Sequence, residues 1–234
     1  MGTWGRKPMY GDATLKQVQA MADDGCTHMV LLMRHSAREF NPDVHDLENP
    51  LTDEGRELSK RLGRQLPNAY TLRGYASPAE RCVETAQLCL DGHAAKGGSV
   101  TRVRPVEGLG VFYVLDQMKM YRVMRDMGTL QQFVSAWSES SIPEDALIPA
   151  QEAARILMRV VTEKLNQSVA EKQIDVCVSH DLSLYLVRDR LLRESPDQGP
   201  VEFLDTLLAF RRDNRVWLQS ARTNPVDITA ELAR

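Results

Sequence analysis

The run Leu31-Leu32-Met33-Arg34-His35-Ser36-Ala37-Arg38 decides the fold. Residues 29–33 are apolar without alternation, the pattern of a strand covered on both faces, and such strands lie centrally in α/β sheets. The run ends on a histidine flanked by Arg34 and Arg38. That is the carboxyl end of a strand, where open α/β sheets place their ligand sites. A second apolar run, Ile174 to Val178, ends on Ser179-His180-Asp181. The two histidines can therefore face one pocket.

Working outward, Thr14–Ala22 reads as a helix with Leu15, Val18 and Ala22 on one face and Gly25 as its stop. Thr52 is an N-cap ahead of Asp53 and Glu54, two acids that suit a first helical turn, and Leu58, Leu62 and Leu66 follow at helical spacing. The short strand Gly74-Tyr75-Ala76 precedes a second helix start, with Ser77 as N-cap, Pro78 at the first helical position and Glu80 as capping-box partner. Arg81 then sits in the opening turn, and Val83, Ala86, Gln87 and Leu90 continue the period. Residues 92–99 read as a loop.

Residues 105–150 interrupt this rhythm with Phe112, Tyr113, Met118, Met120, Tyr121, Met124, Met127 and Trp137. They read as a largely helical insertion over the site, whose Met and aromatic stripe packs as a small helical core. A helix on Ala154, Leu157, Val161 and Leu165, the Ile174–Val178 strand, a helix over 182–192 and a hairpin of Thr206–Phe210 with Val216–Leu218 complete the order. The last dozen residues read as a loose tail. The expected fold is an α/β three-layer sandwich with a mostly parallel central sheet flanked by helices. It forms one domain over 1–234, with a helical cap insertion at about 105–150.

The chain has 234 residues, 43% hydrophobic and 26% charged, enough for one substantial core. A net charge of −3 gives no basic surface for nucleic acid or anionic membrane, yet a local arginine cluster can still focus potential on a small anion. Cys26, Cys82, Cys89 and Cys177 lack CxxC spacing and read as small buried hydrophobes. Met1–Pro8 has no apolar leader, and Arg6 stands where a myristoylation motif wants Ser or Thr. No stretch approaches the roughly 20 apolar residues of a membrane span. The expected location is cytoplasmic.

A neutral imidazole is a competent nucleophile toward phosphorus near neutral pH, which makes His35 the candidate nucleophile. Phosphoryl transfer needs positioning and charge stabilisation, which guanidinium groups supply without a metal. Arg34, Arg38 and Arg81 suit that role, with His180 as a further donor to the phosphoryl oxygens. The leaving alkoxide needs a proton, and Asp181 and Glu107 are the two candidate acids. Each residue alone reads as structural. The ordered set of Arg-His-x-x-Arg after the first strand, Ser-x-x-x-Arg-x-x-x-Thr opening a helix, and Ser-His-Asp after a late strand carries the inference.

That set resembles the histidine phosphatase superfamily from about Met29 to Leu218. The resemblance implies a phosphoryl pocket of Arg34, His35, Arg38, Arg81 and His180, with no metal and no cofactor. In the acid-phosphatase and phytase branch the donor is the aspartate directly after the second histidine, similar to Asp181. In the phosphoglycerate-mutase-like branch it is a glutamate downstream of the mid-chain arginine, similar to Glu107. Ser36 departs from the usual glycine and is expected to narrow the pocket floor. The activity implied is hydrolysis of a small phosphomonoester through a phosphohistidine intermediate. The alternatives are a phosphomutase, a protein phosphohistidine or phosphotyrosine phosphatase, and a catalytically weak phosphate-binding regulatory module. The expected partner is a small phosphorylated substrate, with no nucleic acid and no membrane, and a homodimer is allowed.

Overall fold

The computed structural model describes residues 9–232; the Met1–Pro8 stretch, read above as lacking a leader, lies outside them. Strand β1 (His28–Arg34) is central, as its unbroken apolar run requires. The others are β2 (Thr71–Ala76), β3 (Val100–Pro105), β4 (Gln173–Ser179), β5 (Thr206–Arg212), β6 (Arg215–Gln219) and β7 (Val226–Asp227). They form one sheet in the order β3-β2-β4-β1-β5-β6-β7. Successive β1 residues serve opposite faces. Met29, Leu31 and Met33 pack with helices α1 (Asp12–Asp23), α2 (Asp53–Gln65) and α3 (Glu80–Ala94). Val30 and Leu32 pack with α6 (Ala150–Leu165) and α7 (Asp181–Leu192). The three-layer α/β expectation holds.

The sheet is mixed and only half parallel, which corrects the expectation of a mostly parallel one. β1 pairs in parallel with β4, β4 with β2 and β2 with β3, whereas β1–β5, β5–β6 and β6–β7 are antiparallel. For β5–β6 the cause is connection length: a parallel pair needs a long crossover, but these strands are joined through Asp213 and Asn214 alone. Both adopt positive φ, 51° and 61°, as a tight hairpin of this hand demands.

Three further expectations are corrected. Helix α3 begins at Glu80 with Ala79 at its N-cap and no side-chain cap; Ser77 Oγ accepts from Ala79 N at 3.4 Å, outside the helix, and takes a further partner. The same helix runs to Ala94, three residues into the segment read as a loop, and the loop is confined to 95–99. Its Gly92 lies against α2, where a Cβ would stand 2.1 Å from the Lys60 carbonyl oxygen; glycine here serves close helix approach rather than a turn. The tail is not loose: β7 pairs with β6, Ile228 is fully buried, and α8 (Thr229–Leu232) follows. On α1 the buried face is Thr14, Gln17, Val18 and Met21, with Leu15 and Ala22 at its margin.

Residues between β3 and α6 hold α4 (Gln117–Met127) and α5 (Leu130–Ser138), so the segment is helical as expected. Gly128 at φ 82° makes the turn between them, and Thr129 caps α5 by accepting from Gln132 N. No helix among the described residues is long and apolar enough to cross a membrane.

Candidate active site

The carboxyl ends of β1, β4 and β2 lie side by side. His35 N donates to Ser179 O at 3.0 Å and Ser77 N to Val178 O at 2.8 Å, which brings His35, His180 and Ser77 to one place. The histidine rings are 5.7 Å apart, and both are almost fully buried, as is Arg81.

Hydrogen bonding sets the tautomer of each ring. His35 Nδ1 lies 2.8 Å from Ser36 O, which can only accept, so Nδ1 carries the proton and Nε2 the lone pair. Arg81 Nε–H donates to that Nε2 at 3.2 Å. Burial first, and then the positive charge of Arg81, hold the His35 pKa well below its usual 6.5. For His180, Arg81 Nη2 reaches Nδ1 at 3.5 Å, so Nε2–H is the donor to Ser77 Oγ at 2.9 Å. Burial and then Arg81 push its pKa down to about 4. Both imidazoles are neutral at physiological pH.

The mid-chain motif ties the other two together. Ser77 meets His180, Arg81 meets His35, and Thr85 Oγ1 accepts from Ser36 N at 3.1 Å while donating to Arg81 O at 2.7 Å. Ser36 does not narrow the pocket floor. Its fully buried hydroxyl donates to Gly55 O at 2.7 Å, away from the histidines.

His35, Arg38, Arg81, His180 and Asp181 line one cavity of about 480 Å³, so five of the seven candidate residues converge. Arg34 lies behind it. Its Nη1 donates to Val201 O at 2.7 Å, its Nη2 pairs with Asp181 Oδ2 at 3.0 Å, and its guanidinium stacks 4.2 Å from the Phe203 ring centroid. Asp181 Oδ1 also accepts from Leu182 N at 2.7 Å. Glu107 opens a 3-10 turn (Glu107–Leu109) after β3, and its side chain is exposed, outside that lining. The opposite wall comes from the insertion, with Val111, Tyr113, Met120, Tyr121, Met124 and Leu130. The Met and aromatic stripe thus divides, since Trp137 is core while Tyr121 and Met124 face the cavity.

Two participants escaped the sequence reading. Ser77 carried a signal, but its capping pattern pointed to the wrong partner. Asp46, in a short turn (Asp46–Glu48), takes Arg38 Nη2 on Oδ1 at 2.6 Å and Arg81 Nη2 on Oδ2 at 3.1 Å, while its carbonyl accepts from Arg81 Nη1 at 2.6 Å. A lone aspartate in an aperiodic loop offers no spacing by which to find it.

The depressed histidines imply an acid-sensitive fold. Between about pH 4 and 6.5 the unfolded chain binds the proton that folded His180 refuses, so stability rises with pH across that window. Acidification through it is expected to cost on the order of 3 kcal/mol for this residue, with His35 adding in the same direction. Urea midpoints at pH 7 and pH 4.5 check this. His180→Asn should flatten the difference, and an equal slope in both proteins would contradict it.

The chain belongs to the histidine phosphatase superfamily, branch 1, whose family model matches residues 30–206. No curated protein matches the chain by sequence. Among solved structures it is similar to Bacillus stearothermophilus YhfR, at 16% identity and a TM-score of 0.59 over 82% of this chain and 96% of that one. A phosphoglycerate mutase from Bacillus anthracis aligns at 14% identity and a TM-score of 0.56 over 88% and 95%. A phosphoserine phosphatase variant from Entamoeba histolytica, in complex with phosphoserine, aligns at 17% and 0.53 over 82% and 95%. At such identities the likeness is one of fold.

Proposed function

We propose that this protein hydrolyses a small phosphomonoester through a phosphohistidine on His35 Nε2. The observation that carries the reading is the buried, neutral His35 with its Nε2 lone pair turned toward Arg81, in a cavity shared with Arg38, His180 and Asp181. The Nε2 lone pair attacks phosphorus as the ester P–O bond breaks. Arg38 and Arg81 hold the charge on the equatorial oxygens, and His180 exchanges Ser77 for one of them. Asp181, a carboxylate paired with Arg34 at rest, takes up a solvent proton as the phosphate dianion binds beside it and gives that proton to the leaving alkoxide. Water then attacks the phosphohistidine, returns a proton to Asp181, and inorganic phosphate leaves with His35 restored.

Asp181 is preferred to Glu107 as the acid because it lines the cavity, whereas the Glu107 side chain points into solvent. In this reading Arg34 is a positioning residue, holding Asp181 through its Nη2. The insertion serves as a cap whose apolar wall receives the organic part of the ester. The four free thiols, three of them fully buried, suit a reducing cytoplasm.

The test is release of inorganic phosphate from an alkyl and an aryl phosphate in EDTA by wild type and Asp181→Asn. One phosphate is expected per ester consumed; transfer to a second substrate hydroxyl instead would favour the mutase reading. Asp181→Asn should lose about 10²-fold or more on the alkyl ester and far less on the aryl ester, whose leaving group needs little protonation. Equal losses on both would move the acid role to Glu107.

A further inference from the structure

Arg38 and Arg81 are the two cationic side chains of the cavity floor, and Asp46 already engages both. Its carboxylate receives one guanidinium on each oxygen, at 2.6 and 3.1 Å. That is the arrangement in which two adjacent oxygens of a phosphoryl group would be held. Both cannot occupy it at once.

We propose that Asp46 is a specificity-determining residue, a resident competitor that a dianionic phosphomonoester displaces and a monoanionic ligand does not. This rests on the phosphatase reading of the same site. The charge argument is short. With both histidines neutral and Arg34 matched by Asp181, the remaining charged groups of the floor are Arg38, Arg81 and Asp46, a sum of +1. A monoanion that replaces Asp46 gains nothing over the carboxylate it removes. A dianion brings the cluster to neutrality and makes full use of both guanidinium groups.

The surrounding segment is built to let Asp46 go. Its base is closed by Glu39 N donating to Pro50 O at 2.8 Å and Asn41 N donating to Asn49 Oδ1 at 2.8 Å, with Asn49 buried. Residues 42–45 beyond that base are exposed. The tip is fastened by Asp46 itself and by His45, whose Nε2 meets the Gln117 amide at 2.5 Å. The Asp46 carboxylate can leave the two guanidinium groups by side-chain rotation, while its carbonyl stays on Arg81 Nη1 at 2.6 Å. The apparent affinity for phosphate is reduced by the fraction of molecules in which Asp46 is released.

The experiment is calorimetric titration of inorganic phosphate, chiefly dianionic at pH 8, and of methyl methylphosphonate, a monoanion, into wild type, Asp46→Asn and Asp46→Ala. Steady-state kinetics on an aryl phosphate accompany it. Both variants are expected to bind phosphate about tenfold or more tightly and to lower KM without raising kcat, and to bind the monoanion measurably where wild type does not. Phosphate binding in wild type that is unchanged or weakened in both variants, with matching thermal midpoints, would show that Asp46 braces the arginines and would overturn the proposal alone. Absence of phosphate binding in all three proteins would overturn the phosphoryl-pocket reading and this inference with it.

Discussion

His35→Ala is expected to lose on the order of 10⁴-fold or more in kcat/KM and to carry no radiolabel after rapid quenching from a labelled substrate. The size follows from the number of functions in one ring. In the proposed reaction His35 Nε2 is the atom that bonds to phosphorus, and His180 presents no equivalent lone pair at its own Nε2. His180 Nε2 carries a proton toward Ser77, and its Nδ1 faces Arg81. The tautomer that exposes Nε2 is fixed by Ser36 O at 2.8 Å, so the nucleophile is oriented before substrate arrives. Because burial and Arg81 hold its pKa low, the neutral form persists below pH 6.5 and wild-type activity should extend into mildly acidic solution. A label that survives the substitution at wild-type stoichiometry would place the covalent step elsewhere. The thermal midpoint guards against mistaking unfolding for chemistry.

Arg81→Ala is expected to cost about 10³-fold in kcat/KM, and Arg81→Lys to recover little of it. Arg81 uses its whole fork: Nε to His35, Nη1 to the Asp46 carbonyl, and Nη2 to the Asp46 carboxylate and toward His180. A lysine ammonium restores the charge at one point and cannot span these directions. The substitution also removes the largest neighbouring charge acting on both histidines. Their pKa values should rise toward 6.5, so the acid limb of the residual pH profile in Arg81→Ala moves to higher pH. Recovery by lysine to within a few-fold of wild type would show that charge alone matters and would remove the argument from geometry.

Much of this site was legible because strand ends advertise themselves. The apolar runs of β1 and β4 had to be central strands, and their carboxyl ends had to be neighbours if the sheet was parallel there; that places His35 beside His180 from pattern alone. Direction was less legible. Arg34 is adjacent to His35 in sequence, but successive strand residues face opposite ways, and Arg34 shares the face of Val30 and Leu32, from which it reaches Val201 and Asp181. The Ser77-Pro78-Ala79-Glu80 capping pattern is sound local chemistry overridden by a tertiary partner, His180. Strand β3 was missed because it is an edge strand of alternating partly covered and exposed residues, with neither the apolar run nor the clean alternation that marks a strand.

The residues placed at the phosphoryl end belong to strand ends and the start of α3, whereas the apolar wall across the cavity is drawn from a single excursion of the chain, residues 111–130. In the proposed reaction, the phosphorus chemistry and the reception of the organic group therefore draw on largely separate lengths of sequence. On the proposed function, replacement of α4 and its flanks is expected to re-aim the protein at a different organic group and to leave the phosphorus chemistry intact, which makes this excursion the natural cassette for engineering.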